Sequence, residues 1–177
     1  MKDLLRSRTS LLEEIEKLLN DQIKMEARSS ATYLAMASWC DRNGYDNSAN
    51  FFYKQSDEER EHMLKIFKYV SDVGGRAISP EILNVAQEFE SFKDVFEKAL
   101  EQEISVTHSI NRIVDKCHKS RDYTTATFLQ WFLTEQVEEE YIGRRALELF
   151  DVIGEEGVGR YMIDKQIPKI TYGSVEG

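Results

Sequence analysis

The chain has 177 residues, 41% of them hydrophobic and 31% charged, with only 2 Pro, which is typical of a largely helical protein with one buried core. Its formal net charge of -9 argues against nucleic acids and anionic membranes as partners and favours small cations. No apolar run reaches membrane length and the first residues lack the apolar stretch of a signal peptide, so we expect a cytoplasmic protein.

The first predicted helix covers residues 10–41 and opens on Ser10-Leu11-Leu12-Glu13, whose Ser and Glu have the spacing of a capping box. One stripe of this helix is apolar or small and neutral except at Glu26. The stripe consists of Leu12, Ile15, Leu19, Gln22, Glu26, Ser29, Tyr33, Met36 and Cys40. The Tyr33 hydroxyl lies two turns beyond Glu26, where it can hydrogen-bond either a metal ligand or a backbone carbonyl.

A short turn makes the second predicted helix, residues 46–73, antiparallel to the first. Its apolar stripe places Glu59 and His62 at core positions, and no Arg or Lys shares that stripe. A carboxylate buried without a cation costs several kcal/mol, so this pattern favours a metal ion. Glu-x-x-His puts a carboxylate and an imidazole on one turn, as carboxylate-bridged di-metal bundles do. The alternative is a solvated charged face with His62 as a neutral core histidine.

Gly74-Gly75 predicts the end of the second helix, and residues 76–91 show little helical periodicity. A loop this long is uncommon in a compact domain, and its length suits a crossover that returns along the bundle. The second and third helices should therefore run parallel. The third helix, predicted over residues 92–119, has Glu103 as the lone carboxylate on its inward stripe, whereas His108 lies off that stripe and should be exposed.

The fourth predicted helix covers residues 124–153, and its inward stripe contains Gln136 and Glu139 among apolar residues. The neighbouring Glu135, Glu138 and Glu140 make this segment densely acidic, and some of these side chains must be solvated. A short fifth helix is predicted over residues 157–167. Its apolar pattern consists of Val158, Tyr161, Met162 and Ile167.

These elements predict an all-α fold in which a single domain, residues 1–177, forms an up-down four-helix bundle with a long crossover between helices 2 and 3 and a short fifth C-terminal helix. The polar residues on the four stripes should then meet at one level. Oxygen ligands with a nitrogen and no thiolate suit iron or manganese, with zinc as a competitor. Glu59 is the natural bridge between two ions. Cys40 and Cys117 lack a metal-ligand or redox spacing and should be buried thiols.

Several segments together resemble the ferritins, specifically the non-haem bacterial type. The matching segments are Glu26-Ala27-Arg28-Ser29-Ser30 with Tyr33, Glu58-Glu59-x-x-His62-Met63, Glu103, Phe128-Leu129-Gln130-Trp131-Phe132, Glu135-Gln136-x-Glu138-Glu139-Glu140 and Tyr161-Met162-Ile163-Asp164-Lys165. The resemblance implies a homo-oligomeric shell of twenty-four subunits that oxidises Fe(II) with dioxygen or peroxide and stores the ferric mineral inside. In ferritins the fifth helix lines a fourfold contact between subunits.

Carried over residue by residue, the resemblance implies a di-iron site. One iron would be bound by Glu26, Glu59 and His62. A second iron would lie between Glu59 and Glu103, with Gln136 beside it and Tyr33 hydrogen-bonded nearby.

In the bacterial type a third iron site is built from four acids, and the resemblance assigns these to Glu58, Glu135, Glu138 and Glu139. A haem-containing bacterioferritin would have a second Glu-x-x-His on the fourth helix and a Met ligand after the helix-two glutamate. This chain has Gln136-x-x-Glu139 and Arg60 instead, so no haem is expected.

Two other functions use the same residues. A di-iron peroxidase or oxygenase would direct the same ligands at a peroxide or an organic substrate. A helical scaffold that binds iron without redox chemistry would use the acids only to nucleate mineral.

Overall fold

A computed structural model describes residues 8–173. These residues form five α-helices and contain no strand. The helices are α1 (Glu13–Arg42), α2 (Asp46–Asp72), α3 (Phe92–Ser120), α4 (Tyr123–Ile153) and α5 (Gly159–Gln166), and α5 is followed by a 3₁₀ turn, Ile167–Lys169. The predicted all-α four-helix bundle with a short fifth helix is thus confirmed. No helix within residues 8–173 has both the length and the apolar content that a membrane crossing requires.

The start of α1 differs from the prediction. The helix begins at Glu13 with Leu12 at the N-cap position and no side-chain cap, so the proposed capping box of Ser10 and Glu13 is wrong. Instead, Thr9 Oγ1 accepts a hydrogen bond from the Leu11 amide at 2.9 Å and donates one to the Val73 carbonyl at 2.5 Å. The tertiary contact with the end of α2 holds the entry segment outside the helix, which a local motif cannot anticipate.

Side chains cap the third and fourth bundle helices, α3 and α4. Ser91 accepts a hydrogen bond from the Asp94 amide at 3.0 Å at the start of α3, and Asp122 accepts one from the Thr125 amide at 3.0 Å at the start of α4. At the end of α2, Gly74 has φ +85° and the Gly75 amide reaches the Val70 carbonyl at 2.9 Å. Only glycine adopts that φ at little cost, so the predicted stop after α2 is confirmed.

Contacts at the helix ends show the direction of each helix. Lys116 near the end of α3 pairs with Glu14 at the start of α1, with 2.6 Å between Nζ and Oε2. The turn between α1 and α2 makes those helices antiparallel, and the rings of Tyr45 and Phe92, just before α2 and at the start of α3, stack with centroids 3.8 Å apart. Hence α2 and α3 run parallel. Residues 75–89 between them contain neither helix nor strand, as expected of a crossover.

The apolar interior is divided into two clusters along the bundle axis. One cluster lies around the α1–α2 turn and includes Met36, Phe52 and Phe96. The other lies toward the opposite end and includes Leu19 and Ile110. Burial of large side chains at both ends stabilises the bundle by roughly 25 cal/mol for each Å² removed from water. The level between the clusters is free to hold polar residues without loss of the fold.

The α5 helix docks on the bundle through one buried face and leaves the other exposed. Ile163 and Ile167 are fully buried, whereas Val158, Tyr161 and Met162 are 71%, 60% and 47% exposed. The predicted apolar pattern of α5 therefore packs inside this subunit only at Ile167, because the remaining three residues lie on the far side of a helix of only two turns. The observed helix also begins at Gly159 rather than residue 157.

Asp164 of α5 caps α2. The α2 helix has Tyr45 at its N-cap position and no cap of its own. Asp164 is buried and accepts hydrogen bonds from the Asn47 amide at 3.2 Å, the Asn47 side-chain amide at 2.7 Å and the Ser48 amide at 2.8 Å. A carboxylate at a helix N-terminus also interacts favourably with the helix dipole. This one side chain therefore links α5 to the bundle.

We expect Asp164→Ala to destabilise the folded protein by about 2 kcal/mol, because it leaves amides of α2 unsatisfied and α5 untethered. The measurement is the free energy of unfolding from urea titrations followed by circular dichroism. Asp46→Ala, at an exposed residue in the first turn of α2, is the matched control and should change stability by less than about 0.5 kcal/mol. Equal effects of the two substitutions would show that Asp164 is not a specific cap.

Candidate metal centre

Each of the four long helices places polar side chains into the level between the two apolar clusters. The buried members are Glu26 on α1, Glu59 and His62 on α2, Glu103 on α3, and Gln136 and Glu139 on α4. Glu26, Glu59 and Glu103 are each at most 2% exposed. The sequence prediction that these side chains lie inside the bundle is confirmed.

Glu26, Glu59 and His62 form the tightest group of metal-ligating side chains in the part of the chain that the structure describes. One ligand atom from each lies within 4.8 Å of the others. His62 Nδ1 lies 3.6 Å from Glu59 Oε1, one helical turn away. Since neither Lys nor Arg joins this group, two buried carboxylates face one another with a single imidazole beside them.

Glu103 is buried at the same level as Glu59, and both its oxygens already have donors. Tyr33 donates its hydroxyl to Glu103 Oε1, and Gln136 donates its side-chain amide to Glu103 Oε2 at 2.9 Å. Of the two hydrogen-bond partners predicted for the Tyr33 hydroxyl, a metal-ligating side chain or a backbone carbonyl, the structure shows a carboxylate, that of Glu103. Glu103 does not belong to the group that Glu26, Glu59 and His62 form within 4.8 Å.

Two further glutamines hold buried carboxylates, and sequence reasoning missed their role. Gln22 donates to Glu26 Oε1 at 2.8 Å, and Gln55 donates to Glu139 Oε2 at 2.8 Å. The signal was present, since Gln22 precedes Glu26, and Gln55 precedes Glu59, by four residues on the same inward stripe. A buried carboxamide one turn from a buried carboxylate is well placed to satisfy a carboxylate in the same layer.

Several oxygens in this level have no hydrogen-bond partner. They are Gln22 Oε1, Glu26 Oε2, Glu59 Oε1, Glu59 Oε2 and Gln136 Oε1. A buried acceptor without a donor costs about 1–3 kcal/mol, and more when it is charged. Divalent cations bind such oxygens directly, so this arrangement of free acceptors beside one imidazole fits a metal site.

The electrostatics confirm that the level is short of positive charge. Burial, followed by the neighbouring Glu59 carboxylate, raises the pKa of Glu26 well above its usual value. The pKa of Glu59 is also raised well above its usual value by burial and then by Glu103. Burial raises the pKa of Glu103 to about 7, although the Tyr33 hydrogen bond opposes this. Burial and the Glu103 carboxylate raise the pKa of Glu139 to about 9.

A second acidic group lies toward the bundle surface, and we call Glu58, Glu135 and Glu138 the outer acids. Glu58 is exposed and the other two are half-buried. Partial burial raises the pKa of Glu58, with His62 opposing and Glu135 and Glu138 adding to the rise. The same three carboxylates raise the pKa of Glu139. The structure thus brings the outer acids near Glu139, although among residues 8–173 they do not form as tight a group as Glu26, Glu59 and His62.

Aromatic residues close the His62 side of the level. Trp131 and Phe132 meet the His62 ring edge to face, with centroids 5.3 and 6.0 Å away. Lys65 Nζ lies 3.2 Å from the centroid of the Trp131 ring. Such packing restricts the orientation of the imidazole while its Nδ1 stays next to Glu59. The two thiols take no part, since Cys40 and Cys117 are buried in the apolar clusters.

Comparison with known proteins identifies the family. The family model described as the ferritin-like domain matches residues 16–152 of this sequence. The chain belongs to the ferritin family. A probable bacterial non-heme ferritin-like protein of Haemophilus influenzae is 38% identical over 161 residues, which is 91% of this chain and 98% of the relative. A bacterial non-heme ferritin of Campylobacter jejuni is 38% identical over 160 residues, covering 90% and 96%.

Solved ferritin structures have the same fold. An open pore ferritin from the hyperthermophilic archaeon Archaeoglobus fulgidus matches with a TM-score of 0.87 and 34% sequence identity, covering 90% of this chain and 98% of the other. A form of the Archaeoglobus fulgidus ferritin engineered to be closed matches with a TM-score of 0.85 and 35% identity, covering 89% and 96%. The resemblance drawn from the sequence motifs to non-haem bacterial ferritins is confirmed.

The raised pKa values predict how the stability of this ferritin depends on pH when it is free of metal. Because the folded protein holds protons on Glu103 and Glu139 more tightly than the unfolded chain does, stability should be highest below the unfolded pKa. It should fall as pH rises from about 4.5 through 7 and on to 9, the values that burial and neighbouring carboxylates produce. Each proton lost contributes a slope of up to about 1.4 kcal/mol per pH unit.

Glu139→Gln should make this fall in stability less steep between pH 5 and 9, by up to about 1.4 kcal/mol per pH unit, because the neutral amide does not titrate. The raised Glu139 pKa of about 9 sets the upper end of this pH range. The measurement is the free energy of unfolding in urea across this pH range with chelator present. Glu148→Gln, at an exposed carboxylate of the same helix, is the matched control for the substitution itself. A parent protein whose stability rises over this range would contradict the prediction.

Proposed function

We propose that this protein is an iron-storage ferroxidase. It oxidises Fe(II) with dioxygen or peroxide at a site for two ions and deposits the ferric mineral inside a hollow shell of identical subunits. Iron is here the substrate and the cargo. The family and the shared name bacterial non-heme ferritin support iron storage in general. The arrangement of this chain's own side chains supports the finer statement.

The main support for this proposal is that Glu59 is buried without a hydrogen-bond donor to its carboxylate. Its side chain is fully buried and neither carboxylate oxygen has a hydrogen-bond partner. Ligand atoms of Glu26 and His62 lie within 4.8 Å of it, and the Glu103 carboxylate is the neighbouring charge that raises its pKa most. A carboxylate with two free oxygens between two sets of ligands can bind one ion through each oxygen, whereas Glu26 and Glu103 have oxygens that are already occupied.

The first ion would bind to Glu26, Glu59 and His62, and the second to Glu59 and Glu103 with Gln136 beside it. Carboxylate oxygens with one imidazole and no thiolate suit Fe(II) and stabilise Fe(III) still more. That preference lowers the free-energy cost of passing electrons from two adjacent Fe(II) ions to an oxidant. The protein supplies the position and charge of the ligands. The rings of Trp131 and Phe132 shield His62 from water.

The asymmetry of the two positions accounts for turnover. The second ion has no imidazole ligand, and Gln136 offers it only a neutral carbonyl oxygen, which has no hydrogen-bond partner. Tyr33 holds Glu103 in place and stays a neutral phenol, since burial and the Glu103 carboxylate raise its pKa well above its usual value. A weakly held second ion can leave as product, so the two ions behave as substrate.

The outer acids give departing ions the next place to bind. Together with Glu139, which is itself buried next to them, they form the third iron site of the proposal. A group that combines the buried Glu139 with the exposed Glu58 leads from the interior of the bundle to its surface. Nothing in this proposal requires haem.

Assembly into a shell of twenty-four subunits completes the proposal, because a mineral needs an enclosed space. The apolar residues Val158, Tyr161 and Met162 are exposed on this subunit, and contact with other subunits would remove them from water. We place the assembled shell in the cytoplasm.

Glu59→Ala should slow the fast phase of Fe(II) oxidation at least about 100-fold, since a ligand shared by two ions must matter no less than an outer partner of a ligand. The fast phase is followed by stopped-flow absorbance after mixing with Fe(II) in air. Glu61→Ala, at an exposed carboxylate two residues along α2, is the matched control and should oxidise iron at the parent rate. Size-exclusion mass should show the same assembly for all three proteins. An assembled Glu59→Ala protein with the parent rate would refute the site.

Glu138→Ala should spare the rate of the first rapid oxidation and alter the later phases. Removal of one outer acid weakens the third site but leaves Glu26, Glu59 and His62 intact. We expect fewer Fe(II) ions oxidised per subunit in the first turnover and slower later phases, measured by oxygen consumption over successive additions of iron. A loss confined to the rate of the first phase would show that Glu138 belongs to the central site instead.

A further inference from the structure

Three buried glutamines of this bundle each donate a hydrogen bond to a different buried glutamate. The pairs are Gln22 with Glu26 at 2.8 Å, Gln136 with Glu103 at 2.9 Å, and Gln55 with Glu139 at 2.8 Å. The first pair lies within α1, while the third joins α2 to α4. Gln55, the glutamine of the third pair, is not one of the proposed iron ligands.

Glu139 lies between the central site and the outer acids. It follows Gln136 by one turn on α4, and its side chain is only 6% exposed. The charge that acts on it most strongly is the Glu103 carboxylate, and after that come Glu58, Glu135 and Glu138. A carboxylate in this place can serve an ion on either side, provided that its orientation is restrained.

Gln55 is the restraint that the structure shows. It lies one turn before Glu59 on α2, it is 5% exposed, and its amide nitrogen reaches Glu139 Oε2. The terminal torsion of a glutamate is broad, so an unrestrained carboxylate samples many orientations. Gln136, one turn before Glu139 on α4, donates its amide nitrogen to Glu103 instead. With Oε2 fixed, the other oxygen of Glu139 keeps one direction.

We propose that Gln55 is a positioning residue that orients Glu139 and thereby sets the affinity for the ions on the α4 side, namely the second central ion and the ion among the outer acids. This inference rests on the proposed function. Gln55 touches no reacting atom and acts only through Glu139. Outer partners of metal ligands typically account for about 10- to 100-fold in metal affinity, and we expect an effect of that size.

The test is an anaerobic calorimetric titration of the assembled, metal-free protein with Fe(II). Gln55→Met keeps the length and most of the volume of the side chain but removes the donor. It should weaken the ions on the α4 side about 10- to 100-fold and leave the ion at Glu26, Glu59 and His62 at the parent affinity. Gln22→Met is the matched variant, because it removes the same kind of hydrogen bond from Glu26. It should weaken the ion at Glu26 and spare the others.

A second variant guards against an effect of packing alone. Gln55→Asn keeps the amide but is one methylene shorter, so it should lose the hydrogen bond to Glu139 and reproduce the pattern of Gln55→Met. Parent affinities in both Gln55 variants, or an equal loss at every ion, would overturn the inference while the proposed function stands. A parent protein that binds no Fe(II) would overturn the proposed function and this inference with it.

Discussion

The structure depends on the burial of four carboxylates at one level of a helical bundle, where no ion pair within residues 8–173 joins any of them to a Lys or Arg. Glu26, Glu59, Glu103 and Glu139 are all withdrawn from water, and burial is the largest cause of the raised pKa of each one. The folded, metal-free protein therefore holds protons on these carboxylates more tightly than the unfolded chain does. In the proposed site an arriving cation would displace those protons, so that metal affinity and folding stability would both depend on the same charge imbalance.

The rest of the fold makes that imbalance tolerable. Apolar clusters at both ends of the bundle stabilise the folded state without help from the polar level. The crossover allows α2 and α3 to run parallel, which sets Glu103 opposite Tyr33 of α1. At the C-terminal end, Asp164 ties α5 to the start of the helix that carries Glu59. Long, rigid helices then hold the carboxylates where solvent cannot screen them.

The buried carboxylates differ in how many of their oxygens accept hydrogen bonds from neighbouring side chains. Gln22, Gln55 and Gln136 each engage one oxygen of a different glutamate, and Tyr33 engages the second oxygen of Glu103. Glu59 alone among the four receives no hydrogen bond from these donors, and both its oxygens stay free. In the proposed site, whether a glutamate can bridge two ions or bind only one would thus depend on which carboxylates the neutral amides have already satisfied.

The sequence by itself determined the helices, their inward stripes and the polar residues at mid-length, because helical periodicity dictates which side chains share a face. It therefore placed Glu26, Glu59, His62, Glu103, Gln136 and Glu139 in the interior. Only the tertiary structure decided which oxygens have donors, because Gln55 and Tyr33 reach carboxylates on other helices. It also replaced the predicted Ser10 cap by a contact of Thr9 with the end of α2, and it turned Tyr161 and Met162 of α5, with Val158 just before them, outward. Contacts between residues far apart in the chain settle such details, because the pattern along one helix shows that a polar side chain points inward but does not show which partner it meets on another helix.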